Sequence, residues 1–152
     1  MNEDLIFMRQ ALFEAERAYE EGEVPVGVVV VLNGKIIGRG HNRTESLHDP
    51  TAHAEIIAIS AAANYLKNWR LTGAKLYVTL EPCIMCAGAI VLSRIEEVIY
   101  ATEEPKFGGV VSKAHIFDIE GLNHRVKYRK GPLSDEAAAL LKDFFRKKRN
   151  SK

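Results

Sequence analysis

Only two cysteines, Cys83 and Cys86, occur in the 152 residues. They lie three positions apart, which excludes the disulfide framework of a small secreted domain and points to a reducing compartment. No apolar run approaches the roughly 20 residues that span a bilayer, so no membrane segment is expected. A secretory or mitochondrial leader is not expected either, because Glu3 and Asp4 stand where such a leader carries only positive charge. Repeats, low-complexity stretches and Pro/Gly/Ser-rich linkers are lacking too. Residues 1–152 therefore read as a single domain, and a cytoplasmic one. What is present, 47% hydrophobic and 27% charged residues, is the composition of a globular chain rather than a disordered one.

The formal net charge of +1 hides an uneven distribution. Residues 123–152 hold 10 Lys+Arg against 3 Asp+Glu, whereas residues 1–122 hold 11 against 17. Such asymmetry is the footprint of a surface for a polyanion such as RNA or DNA. The competing reading is a solvated helix end whose cations complement its own dipole.

Hydrophobic spacing predicts a helix over residues 3–20, with Leu5, Met8, Leu12, Ala15 and Tyr19 on one stripe and Gly22 ending it. A β-branched run over residues 26–32 predicts a strand buried on both faces. It turns at Asn33-Gly34 into a second strand over residues 35–40. Asp49-Pro50-Thr51 then opens a helix lasting to about Leu66, apolar all round and so expected in the core. Strand-like residues 76–80, a helix over 84–93 and a strand at 98–100 form a parallel unit with a right-handed crossover. Residues 102–124 read as a long loop holding a short helix. The last helix starts at Ser134, capped by its hydroxyl, and buries Ala137, Leu140, Leu141, Phe144 and Phe145. It leaves Arg146, Lys147, Lys148 and Arg149 beyond.

Two short motifs carry the chemistry, His53-Ala54-Glu55 and Pro82-Cys83-Ile84-Met85-Cys86. Two sulfurs at C-x-x-C spacing are half of a zinc site, and one imidazole makes three ligands. Three protein ligands leave the fourth tetrahedral position open for water, the mark of a catalytic rather than a closed structural zinc. A structural site would need a fourth ligand. No third cysteine exists, and His41, His48, His115 and His124 lack the paired spacing of a finger. Zinc lowers the pKa of bound water toward neutrality, and Glu55, two residues from His53, would move the protons. Residues i and i+2 inside a helix point about 200° apart. Both therefore reach one site only if His53 lies at or before the first helical turn. Taken singly, the C-x-x-C pair reads as a redox pair, His53 as a core or cap histidine and Glu55 as a solvated helix residue. Their occurrence together, each motif at a helix start after strand-like sequence, favours the metal.

This H-x-E…P-C-x-x-C pattern is that of the zinc-dependent nucleobase deaminases. The sequence resembles, over nearly its whole length, the bacterial tRNA-specific adenosine deaminases, relatives of the cytidine, cytosine and guanine deaminases. The resemblance runs through Glu23-Val24-Pro25-Val26-Gly27, His41-Asn42-Arg43, the blocks at 49–55 and 77–89, Ser93-Arg94-Ile95, residues 122–126 and Phe144-Phe145-Arg146. It implies a three-layer cytidine deaminase-like α/β fold, a mixed central sheet with helices on both faces. It further implies a homodimer that converts the wobble adenosine of a tRNA anticodon stem-loop to inosine, with one zinc per chain. His53, Cys83 and Cys86 then match the zinc ligands and Glu55 the proton shuttle. Asn42 matches a residue binding the extruded nucleoside, while Lys106 and Arg146 fall in segments that meet RNA. Val28 and Glu104 depart from the family's usual Ala and Asp. Bulk at Val28 would tighten the pocket if it lined it and change nothing if it faced the core. The longer Glu104 would shift a contact to the ribose. A deaminase of a free base, and a non-enzymatic zinc or RNA-binding subunit, are the rival readings. The basic C-terminal segment disfavours the first and the intact Glu55 the second.

Overall fold

The computed structural model describes residues 2–151. Its elements are α1 (Glu3–Glu20), β1 (Gly27–Leu32), β2 (Lys35–His41), α2 (Ala54–Leu66), β3 (Lys75–Leu80) and α3 (Ile84–Leu92). They continue with β4 (Glu97–Thr102), a short 3-10 turn (Ile116–Asp118), β5 (Lys127–Lys130) and α4 (Ser134–Asn150). The sheet order is β2-β1-β3-β4-β5. β1 is antiparallel to both β2 and β3, while β3, β4 and β5 run parallel.

Three layers follow from the alternation of side chains along the central strands. Val28, Val30, Leu76, Val78 and Val98 point to one face and pack under α2 and α3, against Ala54, Ala58, Ala62, Ala87 and Ile90. Val29, Val31, Tyr77 and Ile99 point to the other, against Met8, Ala11, Leu12 and Ala15 of α1 and Ala137 of α4. Strands buried on both faces read as continuous apolar runs, as β1 does. Val28 therefore belongs to the core, and its departure from the family's alanine does not reach the site.

Two glycines of β2 bring α2 unusually close. A Cβ on Gly38 would lie 2.5 Å from the Ala58 carbonyl oxygen, and one on Gly40 2.5 Å from that of Ala54. No side chain fits there, so the N-terminus of α2 sits directly against the end of β2.

Several expectations are corrected. Helix α2 begins at Ala54, not at Asp49-Pro50-Thr51. There the Asp49 carboxylate instead accepts the Thr51 N–H at 2.9 Å and its hydroxyl at 2.7 Å, closing a local turn. Only the Ala54, Ala58 and Ala62 side of α2 is buried, together with Glu55, so it is not a helix enclosed all round. Leu5 on α1 is 36% exposed rather than buried. Ser134 is the first helical residue of α4 rather than its cap. The cap position is Leu133, in the left-handed region at φ 69°, with no side-chain capping bond. Helix α4 runs on through Arg146–Arg149, buries Ala137 and Phe144, and leaves Phe145 exposed. Strand β5 is an element that the hydrophobic spacing does not predict. Lys152, at the end of the basic tail, lies outside the described residues.

Candidate active site

The site lies beyond the carboxyl ends of β3 and β4, where open α/β sheets form their crevices. His53 is the N-cap of α2, extended at φ −75° and ψ 154°, with no side-chain capping bond of its own. Cys83 is the N-cap of α3, and its sulfur accepts the Cys86 N–H at 3.4 Å. Two helix N-termini thus converge, and their partial positive charge favours anionic sulfur. His53 Nδ1 lies 3.5 Å from the Sγ of Cys83 and 3.5 Å from that of Cys86. The three ligand atoms fall within 4.8 Å of one another.

The contacts among these three groups set which of them carries a proton. The hydrogen bond with Cys86, aided by those with His53, holds the Cys83 thiol down at about 4. The same contact with Cys83, together with burial, pushes the Cys86 thiol up. His53 is raised by its hydrogen bond to Cys83. Two sulfurs this close become thiolates together only when a cation shares their charge. One imidazole and two soft sulfurs in tetrahedral reach are the donor set of zinc.

Because His53 precedes the first turn, Glu55 reaches the same space from inside the helix. It is 4% exposed, and burial pushes its carboxyl up to about 7. A carboxyl that titrates near neutrality is suited to both giving and taking a proton. A cavity of about 230 Å³ opens over these groups, walled by Val24, Val26, Asn42, Thr44, Leu80 and Phe107. Asn42 is 7% exposed, and its amide donates weakly to the Thr44 hydroxyl at 3.5 Å. The preceding residue, His41, ties this end of β2 to α1, with Nδ1 3.1 Å from Glu14 and Nε2 2.9 Å from Glu21.

Lys106 and Arg146 do not line the cavity. They line a neighbouring groove of about 850 Å³ between the Glu103–Lys106 segment and α4, with Lys142, Phe145, Lys148 and Arg149. Cavity and groove share Leu80 and Glu104 as their common wall. Glu104 turns back on its own loop, accepting the Lys106 N–H at 3.0 Å.

Two buried glutamates that no sequence motif marks hold the site's loops. Glu81 accepts N–H groups from Glu104 (3.1 Å), Val110 (3.0 Å), Val111 (2.9 Å) and Ser112 (3.1 Å), and the Ser112 hydroxyl. Glu23 accepts those of Glu45 (3.0 Å) and Ser46 (2.7 Å) on the opposite rim. Burial pushes both carboxyls up, but the converging donors outweigh it and hold both below the ordinary value of 4.5. A depressed carboxyl lends stability that is complete above its unfolded pKa and lost as pH falls through the folded one. Unfolding followed by denaturant should therefore show stability declining below about pH 4.5. At neutral pH, Glu81→Gln places an amide donor against amide donors and should cost about 2–3 kcal/mol, read from the denaturation midpoint.

The chain is similar to known proteins along nearly its whole length. The MafB19-like deaminase family matches residues 1–149. A tRNA-specific adenosine deaminase of Aquifex aeolicus (strain VF5) is 55% identical over 145 residues, 95% of each chain. A solved structure from work on A-to-I editing by tRNA:A34 deaminases at the wobble position of transfer RNA superposes with a TM-score of 0.87. It is 46% identical over 90% of this chain and 99% of that one. A guanine deaminase from Nitrosomonas europaea superposes at 0.78 with 25% identity, covering 91% of this chain and 82% of that one.

Proposed function

The chain belongs to the MafB19-like deaminase family and to the tRNA-specific adenosine deaminases, and we propose that it converts the wobble adenosine of a tRNA anticodon stem-loop to inosine. The observation that carries this reading is a buried His/Cys/Cys cluster with a protonatable Glu55, in a cavity that opens beside a basic groove. A free base offers no phosphates for such a groove to hold, which favours the RNA substrate over the free base.

His53, Cys83 and Cys86 would hold one zinc ion per chain, which supplies, when bound, a Lewis acid that makes water nucleophilic near neutral pH. The chain's own residues do the rest. Glu55 takes one proton from the water whose oxygen bonds to C6 and delivers it to the amino nitrogen; as the C6–N6 bond breaks and ammonia leaves, the remaining water proton ends on N1 and C6 becomes the carbonyl of inosine. Asn42, buried in the cavity wall, orients the extruded nucleoside through its amide. Val24, Val26 and Leu80 exclude bulk water from the base. A stacked base does not reach a floor this buried, so the adenosine leaves the anticodon stack before reacting.

Lys106, Arg146 and their neighbours in the groove hold flanking phosphates without reading sequence. The working unit is a homodimer of single-domain chains, a reading supported by apolar side chains left at the surface on α3, Ile84 and Leu92. Among the described residues no helix is long and apolar enough to cross a membrane. The cytoplasm, where tRNA is modified, is the proposed compartment.

The deciding assay incubates the protein with an anticodon stem-loop, free adenosine and free guanine, and measures inosine, ammonia and xanthine. Inosine should form only in the RNA; deamination of free guanine in preference to RNA would replace this reading with a free-base deaminase. Truncation after Phe145 tests the groove. Binding should weaken, and the slope of log K against log salt should flatten by roughly 0.7 to 0.9 for each phosphate no longer neutralised. Superimposable salt curves for full-length and truncated protein would reduce the tail to a solvated helix end.

A further inference from the structure

Phe107 stands at the rim of the cavity, 55% exposed, on the segment that separates the cavity from the basic groove. Its ring pairs with no other aromatic ring among the described residues. The similarly exposed Trp69 differs, since it is covered by the guanidinium groups of Arg70 and Arg94 at 4.6 and 5.6 Å. The segment carrying Phe107 is held firmly. The Glu104 N–H is fixed by Glu81, the Gly108 N–H donates to the Glu104 carbonyl at 3.0 Å, and Gly108 pairs with Cys83 as an isolated β-bridge. A rigid, uncovered aromatic face beside cations is the arrangement that receives an unpaired base, because every base has a π-face and ordering the platform costs nothing further on binding.

Resting on the reading of the chain as an RNA adenosine deaminase, we infer that Phe107 is a stacking platform for the nucleobase adjoining the reacting adenosine in the same strand. Phe107 is too exposed to be the floor for the reacting base, which must reach His53, Glu55 and Cys83. The strand leaves the cavity over its rim, and toward Lys106 and Arg146 it passes the Phe107 ring. Extrusion of the adenosine strips the adjoining base of one stacking partner, and the phenyl ring takes that partner's place. The charged groove holds the phosphates on that side, so one short segment supplies both contacts.

The test uses a stem-loop RNA with a single target adenosine and two derivatives in which the nucleotide immediately 5′ or 3′ of it is abasic. The wild-type protein, Phe107→Ala and Phe107→Tyr are compared on all three. On intact RNA, Phe107→Ala should lower kcat/KM by about ten- to one-hundred-fold through KM, the size of one base–aromatic stack, and Phe107→Tyr should restore it. On one of the abasic RNAs the wild type should show a comparable loss, with Phe107→Ala adding less than about twofold, since the two changes remove the same stack. A loss below about twofold on intact RNA overturns the inference. So do losses that multiply independently on both abasic RNAs. Melting curves of Phe107→Ala matching the wild type, expected for so exposed a side chain, separate impaired stacking from impaired folding. Absence of inosine from wild-type protein on intact RNA is a different result, and it overturns the underlying function instead.

Discussion

Glu55→Ala should keep its zinc and its affinity for RNA while turnover falls by about a hundred- to ten-thousand-fold, the range that a positioned proton shuttle contributes. Glu55 lies outside the cluster of ligand atoms, so the donor set that would hold the ion is untouched. It also lies in the cavity rather than the groove, so the cations proposed to hold phosphates are untouched. What disappears is, among the described residues, the carboxyl that is both buried beside the cluster and poised near pH 7 by its burial. Glu55→Gln should behave alike, because an amide of the same shape neither accepts nor returns the proton. Single-turnover deamination measured beside RNA binding and elemental analysis separates these contributions. A Glu55→Ala rate within about tenfold of the wild type would assign the proton transfer to another group.

The part of this site that was legible in the sequence is the part whose geometry is local. Cys83 and Cys86 meet because one helical turn carries residue i to i+3, and His53 and Glu55 share a space because a cap residue and the second helical residue straddle a helix start. Strand β1 and its Asn33-Gly34 hairpin were equally plain, since a β-branched run and a left-handed turn pair leave few alternatives. The glutamates that hold the rims were not legible. Glu81 binds backbone N–H groups 23 to 31 residues away, and backbone donors leave no mark in a sequence. Strand β5 was hidden by its chemistry, since Lys127-Tyr128-Arg129-Lys130 reads as polar loop and only pairing with β4 reveals an edge strand guarded by charge. The sequence around Asp49 mimics the start of α2 because Asp49 satisfies Thr51 in a closed turn that imitates a helix cap. On α4 the apolar spacing predicts burial throughout, yet Phe145 faces the groove.

Substitution of any one of His53, Cys83 and Cys86, the proposed metal ligands, should abolish both metal content and activity, and the structure separates that effect from simple unfolding. Cys83 caps α3 by accepting the Cys86 N–H, and serine is among the strongest residues for that role, so Cys83→Ser retains the helix start. His53 makes no side-chain capping bond to α2, so His53→Ala removes no cap. Cys86 is fully buried on the first turn of α3, and Cys86→Ser should cost more stability because a hydroxyl replaces a sulfur in an apolar setting. Elemental analysis should give about one zinc per chain for the wild type and close to none for each variant, since losing one of three ligands leaves too few to hold the ion. Inosine formation should fall with it. Removal of zinc by a chelator should also lower the melting temperature of the wild type, because the ion would tie the N-terminus of α2 to that of α3 across the cavity floor. That thermal shift should be absent from Cys83→Ser, whose site no longer binds the metal. Full activity in wild-type protein stripped of zinc would refute the metal-dependent mechanism, and a Cys83→Ser variant that kept both zinc and activity would move the site elsewhere.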